Sequence, residues 1–161
     1  MKKIVSYMMT GILLLSFLLT GCGSPEPQTG KKMSMYYINT AETKVEVHEQ
    51  YLNTKTLDEQ LDETMRYLST TPEKLEYKAP LDMGFRVLDY EVEDGKLLIN
   101  VDKAYSELSP TTEVLVRAAI VRTLTQLPNV KYVGITVEDS QLYDNAGELV
   151  GWMNADQFIN N

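Results

Sequence analysis

The sequence predicts an α+β fold, a two-layer sandwich in which a mainly antiparallel sheet carries two helices on one face. Three observations predict it: short segments alternate apolar and polar residues, two longer segments repeat apolar residues at helical spacing, and turn-forming residues separate the segments. The helical segments lie between paired strand-like segments. This order favours antiparallel hairpins with helices packed over them.

Two strands and a helix come first. Residues 33–39 and 44–51 have strand-like patterns, and the turn-forming residues 39–43 separate them. Thr56 and Glu59 have the spacing of a capping box, in which each side chain satisfies the backbone N–H of the other residue. The predicted helix has an apolar stripe formed by Leu57, Leu61, Met65 and Leu68.

A hairpin and a second helix follow. Residues 84–102 alternate on both sides of Asp94–Gly95, a dipeptide that favours the positive φ angles of a tight hairpin turn. Ser109 and Pro110 are typical of a helix start, with serine as the cap and proline at the first helical position. We expect this helix to be well buried, because apolar residues cover more than one of its sides: Val116, Ile120, Leu124 and Leu127.

A strand and a short hairpin end the domain. Residues 130–137 alternate, with Val133, Ile135 and Val137 on one side. Segments 141–143 and 148–150 flank the turn-forming residues 144–147, and they predict a final hairpin.

The N-terminus has the features of a secretory signal peptide. Lys2 and Lys3 precede an apolar run over residues 4–19, and Leu19–Cys22 has the Leu-small-small-Cys order that the lipoprotein signal peptidase recognises. We therefore predict cleavage before Cys22, attachment of acyl chains such as palmitate there, and retention on the extracytoplasmic face of the cell membrane. The alternative is an uncleaved transmembrane anchor, for which the run is at the lower limit of length.

The predicted organisation is a signal peptide over residues 1–21, the lipidated cysteine and a linker over 22–32, and one domain over 33–161. Ten linker residues after Cys22 span at most about 35 Å. The domain is therefore expected to work close to the membrane surface. Its size suits a single hydrophobic core.

The net charge of the chain disfavours two kinds of partner. The signal peptide holds two lysines and no acidic residue, so the remaining chain has 13 basic and 23 acidic side chains and a formal charge of −10. Such a charge disfavours nucleic acid and direct adhesion to anionic lipid. The membrane is then reached through the lipid on Cys22. Since Cys22 is the only cysteine, the chain forms no internal disulfide.

The sequence gives no pattern for catalysis, a metal or a cofactor. His48 is the only histidine, and we interpret it as a surface residue of a strand. Residues 144–148 are too short for a calcium loop. No phosphate-binding loop, nucleophile elbow or marked pair of carboxylates stands out. Four acids lie on one side of the first predicted helix, and we interpret this side as a solvated face: Asp58, Glu59, Asp62 and Glu63.

Tyrosine is the one compositional bias that suggests an interface. Its ring is apolar and its hydroxyl is polar, which suits half-buried sheet surfaces and binding surfaces alike. Packing explains most of these residues, while one or two on an open surface could serve a protein partner or a glycan. Besides Trp152 they are Tyr36, Tyr37, Tyr51, Tyr67, Tyr77, Tyr90, Tyr105, Tyr132 and Tyr143.

Three segments resemble the GerMN (sporulation and spore germination) domain family. Phe85–Asp102 resembles its central hairpin, Ile120–Gln126 its helix-ending "T-L-t-q" element, and Val130–Val137 the strand that follows. The likeness extends from Met35 to Phe158. Asp139–Ser140 stands where the family commonly has a glycine after this strand.

The resemblance implies a non-catalytic module of the cell envelope. We expect a lipoprotein that binds envelope proteins or helps them to assemble, in a role connected with sporulation or spore germination. The runner-up is a lipoprotein that binds a cell-wall glycan or another small ligand, and an envelope hydrolase comes third. No enzyme activity, cofactor or nucleic-acid partner is expected.

Overall fold

The computed structural model describes residues 30–71, 76–144 and 146–158. Two 3₁₀ turns, at Lys103–Glu107 and Ala155–Phe158, accompany the helices and strands. In chain order the helices and strands are β1 (Lys31–Asn39), β2 (Val45–Leu52), α1 (Leu57–Leu68), β3 (Tyr77–Lys78), β4 (Val87–Glu93), β5 (Lys96–Val101), α2 (Pro110–Leu124), β6 (Tyr132–Val137) and β7 (Ser140–Gln141). No helix within these residues is long and apolar enough to cross a membrane.

The α+β class is confirmed, and the strands divide between two sheets. One sheet has the order β2-β1-β3, and all its pairs are antiparallel. The other has the order β4-β5-β6-β7, in which β5 and β6 are parallel. The parallel pair arises because α2 lies in the connection between these strands and returns the chain to the same end of the sheet.

The predicted local signals are present. Thr56 and Glu59 form the capping box of α1, and the Ser109 side chain accepts a hydrogen bond from the Thr112 backbone N–H at the start of α2. Asp94 and Gly95 have φ angles of 49° and 80°, as expected for the two-residue turn between β4 and β5. Strand β1 begins at Lys31, two residues before the predicted start of the domain.

Helix α2 is the central element of the core. Val116, Ala119, Val121 and Leu124 are all buried, although they point to different sides of the helix. Apolar residues from both sheets surround it, including Met35, Leu52, Leu97, Ile99 and Val133. The prediction of a helix that is apolar on several sides is confirmed.

The end of α2 and the residues just after it also cover an open edge of β1. Strand β3 pairs with β1 only at Ile38 and Asn39, so the rest of that edge has no strand beside it. There the Gln126 amide acts like a neighbouring strand: Oε1 accepts from the Ser34 N–H at 3.0 Å and Nε2 donates to the Ser34 C=O at 2.7 Å. Thr123 Oγ1 accepts from the Tyr36 N–H at 3.0 Å. These side chains satisfy buried backbone groups that would otherwise lack partners.

The final hairpin is present, and a further turn that was not predicted precedes it. Strand β7 pairs with β6, and the turn between them is Glu138–Asp139, with φ angles of 48° and 62°. Tyr143 and Leu149 then form the antiparallel bridge of the predicted hairpin, beside backbone hydrogen bonds from the Val150 N–H to the Leu142 C=O at 2.9 Å and from the Asp144 N–H to the Glu148 C=O at 2.8 Å. The sequence did not predict the turn at 138–139, because it requires positive φ angles without the usual glycine.

Candidate docking edge

The predicted site residue, Cys22, lies outside the described residues. His48 is on β2, half-buried and opposite Met35. Within the described ranges no three His, Cys, Asp or Glu side chains are placed to hold a metal ion. His48 therefore has no set of ligating neighbours in this part of the chain.

The interpretation of the acidic helix face was right for three residues and wrong for one. Asp58 and Glu59 are exposed. Glu63 is buried, because its carboxylate accepts hydrogen bonds from the Asn53 N–H at 3.0 Å and the Thr54 hydroxyl at 2.8 Å. It ties the segment before α1 to the helix. Asp62 is exposed but accepts from the Tyr90 hydroxyl at 2.7 Å.

A buried ion pair on α2 was not predicted. Arg117 Nε and Glu113 Oε1 are 3.1 Å apart, and burial raises the pKa of the Glu113 carboxyl although the arginine opposes this. The adjoining cavity, next to Tyr105, measures about 90 Å³. The two charges neutralise each other one turn apart on α2, so we interpret the pair as structural.

Trp152 offers a poor platform for a sugar ring. Trp152 is 43% exposed, but the Lys96 ammonium lies 5.3 Å from its ring centroid and covers one face. The indole also lies against Gly134. Tyr37 and Tyr105 are buried, so packing accounts for them. A stacked glycan needs an uncovered ring face, which Trp152 does not supply.

A groove of about 430 Å³ lies between the β1–β2 turn and α2. Its lining includes Val45, Val114, Ala118, Lys44 and Arg122. Both cations already have partners: Lys44 pairs with Glu46 at 2.6 Å, and Arg122 lies 4.2 Å from the Tyr36 ring centroid. Nothing in the groove selects a particular ligand.

Strand β4 is the outermost strand of the four-stranded sheet. It pairs with β5 on one side, and no described strand lies on its other side. Glu93 and Lys96 flank the two-residue turn and form a hydrogen-bonded pair. Hydrogen-bonded and non-hydrogen-bonded pairs alternate along an antiparallel ladder, so the N–H and C=O groups of Tyr90 and Val92 point away from β5. Such an edge can accept a further strand. We call Val87–Glu93 the docking edge.

One face of the docking edge is acidic. Asp89, Glu91 and Glu93 alternate along β4, share one face and are all exposed. Lys96 is directly opposite Glu93, but its ammonium lies over Trp152. Among residues 30–71, 76–144 and 146–158, no ion pair includes any of these three carboxylates.

The other face is apolar and is held by α1. Val92 is 39% exposed, and Leu88, at a bulge in the strand, is 49% exposed. Between them Tyr90 is half-buried and donates its hydroxyl hydrogen bond to Asp62. Burial, and secondly this bond, raises the pKa of Tyr90 to about 12. The edge is therefore fixed to the helix rather than free to bend away.

A buried asparagine holds the same strand from the other direction. Asn100 on β5 is buried and donates to Asp89 at 3.1 Å and to Asp139 at 2.8 Å, while its oxygen accepts from the Asp139 N–H at 3.0 Å. It thereby joins the edge strand to the unusual turn at 138–139. The only feature of the sequence that could have indicated these hydrogen bonds is an asparagine among the apolar residues of a strand.

Comparison with known proteins identifies the fold and the family. The sequence profile of the Germane family, described as sporulation and spore germination, matches residues 34–143. No curated protein matches the sequence. The structure is similar to the first GerMN domain of the Bacillus subtilis sporulation protein GerM, with a TM-score of 0.60 and 14% identity, over 79% of this chain and 98% of that one.

A second structure contains the tandem GerMN domains of the same Bacillus subtilis protein. It aligns with a TM-score of 0.55 and 18% identity over 84% of this chain. The alignment covers 49% of the tandem structure, so this chain spans about half its length. At these sequence identities the likeness shows the fold and does not assign a role to the docking edge.

Proposed function

Because this chain belongs to the Germane (sporulation and spore germination) family, we propose that it is a non-catalytic assembly module of the cell envelope. It binds another envelope protein through the docking edge while a lipid on Cys22 holds it at the membrane. By analogy with the sporulation protein that shares its fold, the assembly serves sporulation or spore germination.

The observation that carries this proposal is the unpaired edge of β4. Outward-facing peptide groups, exposed apolar side chains and unneutralised carboxylates occur together there. Proteins commonly protect such an edge with charged side chains, a bulge, proline or a covering element, and β4 has the first two of these. Here α2 covers the edge of β1, whereas no described element covers β4. An edge that is rigidly held and left open suits the addition of a strand from a partner.

The second free edge is a weaker candidate. Strand β2 is the outer strand of the three-stranded sheet, but its two acids are neutralised. Glu46 pairs with Lys44 at 2.6 Å and Glu49 pairs with Lys32 at 2.7 Å. Since its charges are satisfied within the chain, β2 has less to gain from a charged partner. It provides the matched control for β4.

The sequence supports the location. With a lipid on Cys22 of the lipobox-like Leu19–Cys22, the short linker would hold the domain within about 35 Å of the bilayer. A charge of −10 gives no attraction to anionic lipid, so the acyl chains must supply retention.

The test uses the full-length protein in its native cells. A photo-reactive amino acid replaces Val92 on the docking edge or Val47 on β2, two exposed valines on free edge strands. We expect a discrete covalent adduct with an envelope protein from position 92 and none from position 47. Equal adducts from both positions, or none from position 92, would contradict docking at β4.

A further inference from the structure

We infer that the docking edge takes an extended segment of another protein in which basic and apolar side chains alternate. This inference rests on the proposed function and specifies its partner. The segment adds to β4 as a fifth strand, with its basic side chains over Asp89, Glu91 and Glu93 and its apolar side chains beside Val92.

Strand geometry sets the spacing of the partner's charges. Alternate residues of β4 are about 7 Å apart, because the rise is about 3.3 Å per residue. An incoming strand has the same repeat, so its alternate side chains lie directly across from the three carboxylates at about 5 Å between Cβ atoms. Lysine or arginine at these positions neutralises charges that the described part of the chain leaves unpaired.

The opposite face sets the other half of the pattern. Val92 and Leu88 expose 39% and 49% of their surface at the sheet border. The added strand places its intervening side chains on this face, where apolar residues would cover Val92. A basic–apolar alternation satisfies both faces at once. A uniformly basic segment would leave Val92 exposed or place charge against it.

A second copy of this chain does not fit. Pairing β4 with β4 of another copy would bring the acidic rows of both strands together on one face. Like charges directly opposite each other destabilise a strand pair, and each mature chain already has a charge of −10. Charge complementarity therefore selects a different protein with a basic segment.

The test measures peptide binding to the full-length lipidated protein in detergent micelles by fluorescence anisotropy. Three labelled eight-residue peptides are compared: alternating lysine and valine, alternating glutamate and valine, and a lysine–valine peptide of equal composition arranged in pairs. Each cross-strand ion pair contributes a factor of about 1.4 to 5 in affinity. We expect the alternating lysine peptide to bind about threefold to a hundredfold more tightly than the other two.

Two double variants separate edge pairing from general attraction. Glu91→Gln/Glu93→Gln removes two carboxylates from the edge, and Asp58→Asn/Glu107→Gln removes two exposed ones elsewhere. The edge variant should weaken the alternating lysine peptide about twofold to thirtyfold, and the matched variant should leave it unchanged. Equal binding of the three peptides, or equal effects of the two variants, would overturn the inference.

The two proposals fail in different ways. If position 92 forms its adduct in cells while the peptides do not discriminate, the edge is a docking site for another chemistry and only the partner assignment fails. If position 92 forms no adduct, the proposed function fails whatever the peptides do.

Discussion

At the scale of single residues, Gly134 shows how the backbone makes room for an aromatic ring. A Cβ at this position would lie 2.8 Å from Cζ3 of Trp152 and 3.2 Å from Leu98. Gly134→Ala should therefore displace the indole and cost about 1–3 kcal/mol of unfolding free energy. Urea unfolding measures the loss, and the emission of the single tryptophan reports the displacement.

The matched control for this prediction is Gly151→Ala. Gly151 has no atom within 4 Å of the added methyl group and no positive φ angle. It should change stability by about 0.5 kcal/mol or less. Unchanged emission in Gly134→Ala would show that the ring is not seated on this glycine.

Gln126 has a structural role that the sequence did not predict. It was known only as part of a motif at the end of the second helix, yet its amide pairs with both backbone groups of Ser34. Gln126→Ala should cost about 1–3 kcal/mol, because it leaves the N–H and C=O of Ser34 unsatisfied. Thermal or urea unfolding checks this, with the exposed Gln141→Ala as the control. Equal stabilities of the two variants would show that water replaces the amide.

At the scale of elements, two tyrosines attach both sheets to α1. Tyr37 of β1 donates its hydroxyl to the Tyr67 C=O at 3.4 Å, and Tyr90 of β4 donates to Asp62 at 2.7 Å. Burial raises the pKa of Tyr37, as of Tyr90, to about 12. An unfolded tyrosine has a pKa of about 10. The folded state thus holds these protons more tightly than the unfolded state does.

Stability should therefore fall as the pH rises between 10 and 12. The contribution of both tyrosines is fully present below pH 10 and is lost as the pH approaches their folded pKa. Between pH 10 and 11 we expect a loss of about 1–2 kcal/mol, since partial exposure of Tyr90 reduces its share. Urea midpoints at pH 9, 10 and 11 measure it. The loss should be smaller in Tyr37→Phe/Tyr90→Phe, and an identical pH dependence would contradict this assignment.

Local signals in the sequence predicted the elements better than their partners. The Thr56–Glu59 capping box, the Asp94–Gly95 turn and the Ser109–Pro110 helix start act within a few residues, and all three are present. The parallel pairing of β5 and β6 depends on how α2 packs, which no local pattern encodes. Glu63 is buried through bonds to a segment ten residues earlier, so its helical position alone could not predict it.

At the scale of the whole molecule, the candidate site combines predictable and unpredictable features. The alternation of residues 84–102 about Asp94–Gly95 predicted the hairpin that contains β4, because alternation is visible within one strand. It did not show that β4 would be an edge strand, that Lys96 would turn to Trp152, or that Asp62 and Asn100 would fix the strand from two sides. These depend on contacts between segments distant in sequence. The edge is therefore a property of the assembled sheet.

The attachment of this edge to the membrane gives the last prediction. Cys22→Ser removes the only thiol in the chain, so lipid transfer to this position becomes impossible. Each buried methylene of an acyl chain contributes about 0.8 kcal/mol, and two chains make attachment stable. Labelling with a tagged fatty acid should disappear in Cys22→Ser and persist in Ser24→Ala. The adduct from position 92 should also decrease in Cys22→Ser, because tethering raises the local concentration of the docking edge near envelope partners. Labelling that survives Cys22→Ser would exclude this anchor, and an undiminished adduct would show that docking does not need the membrane.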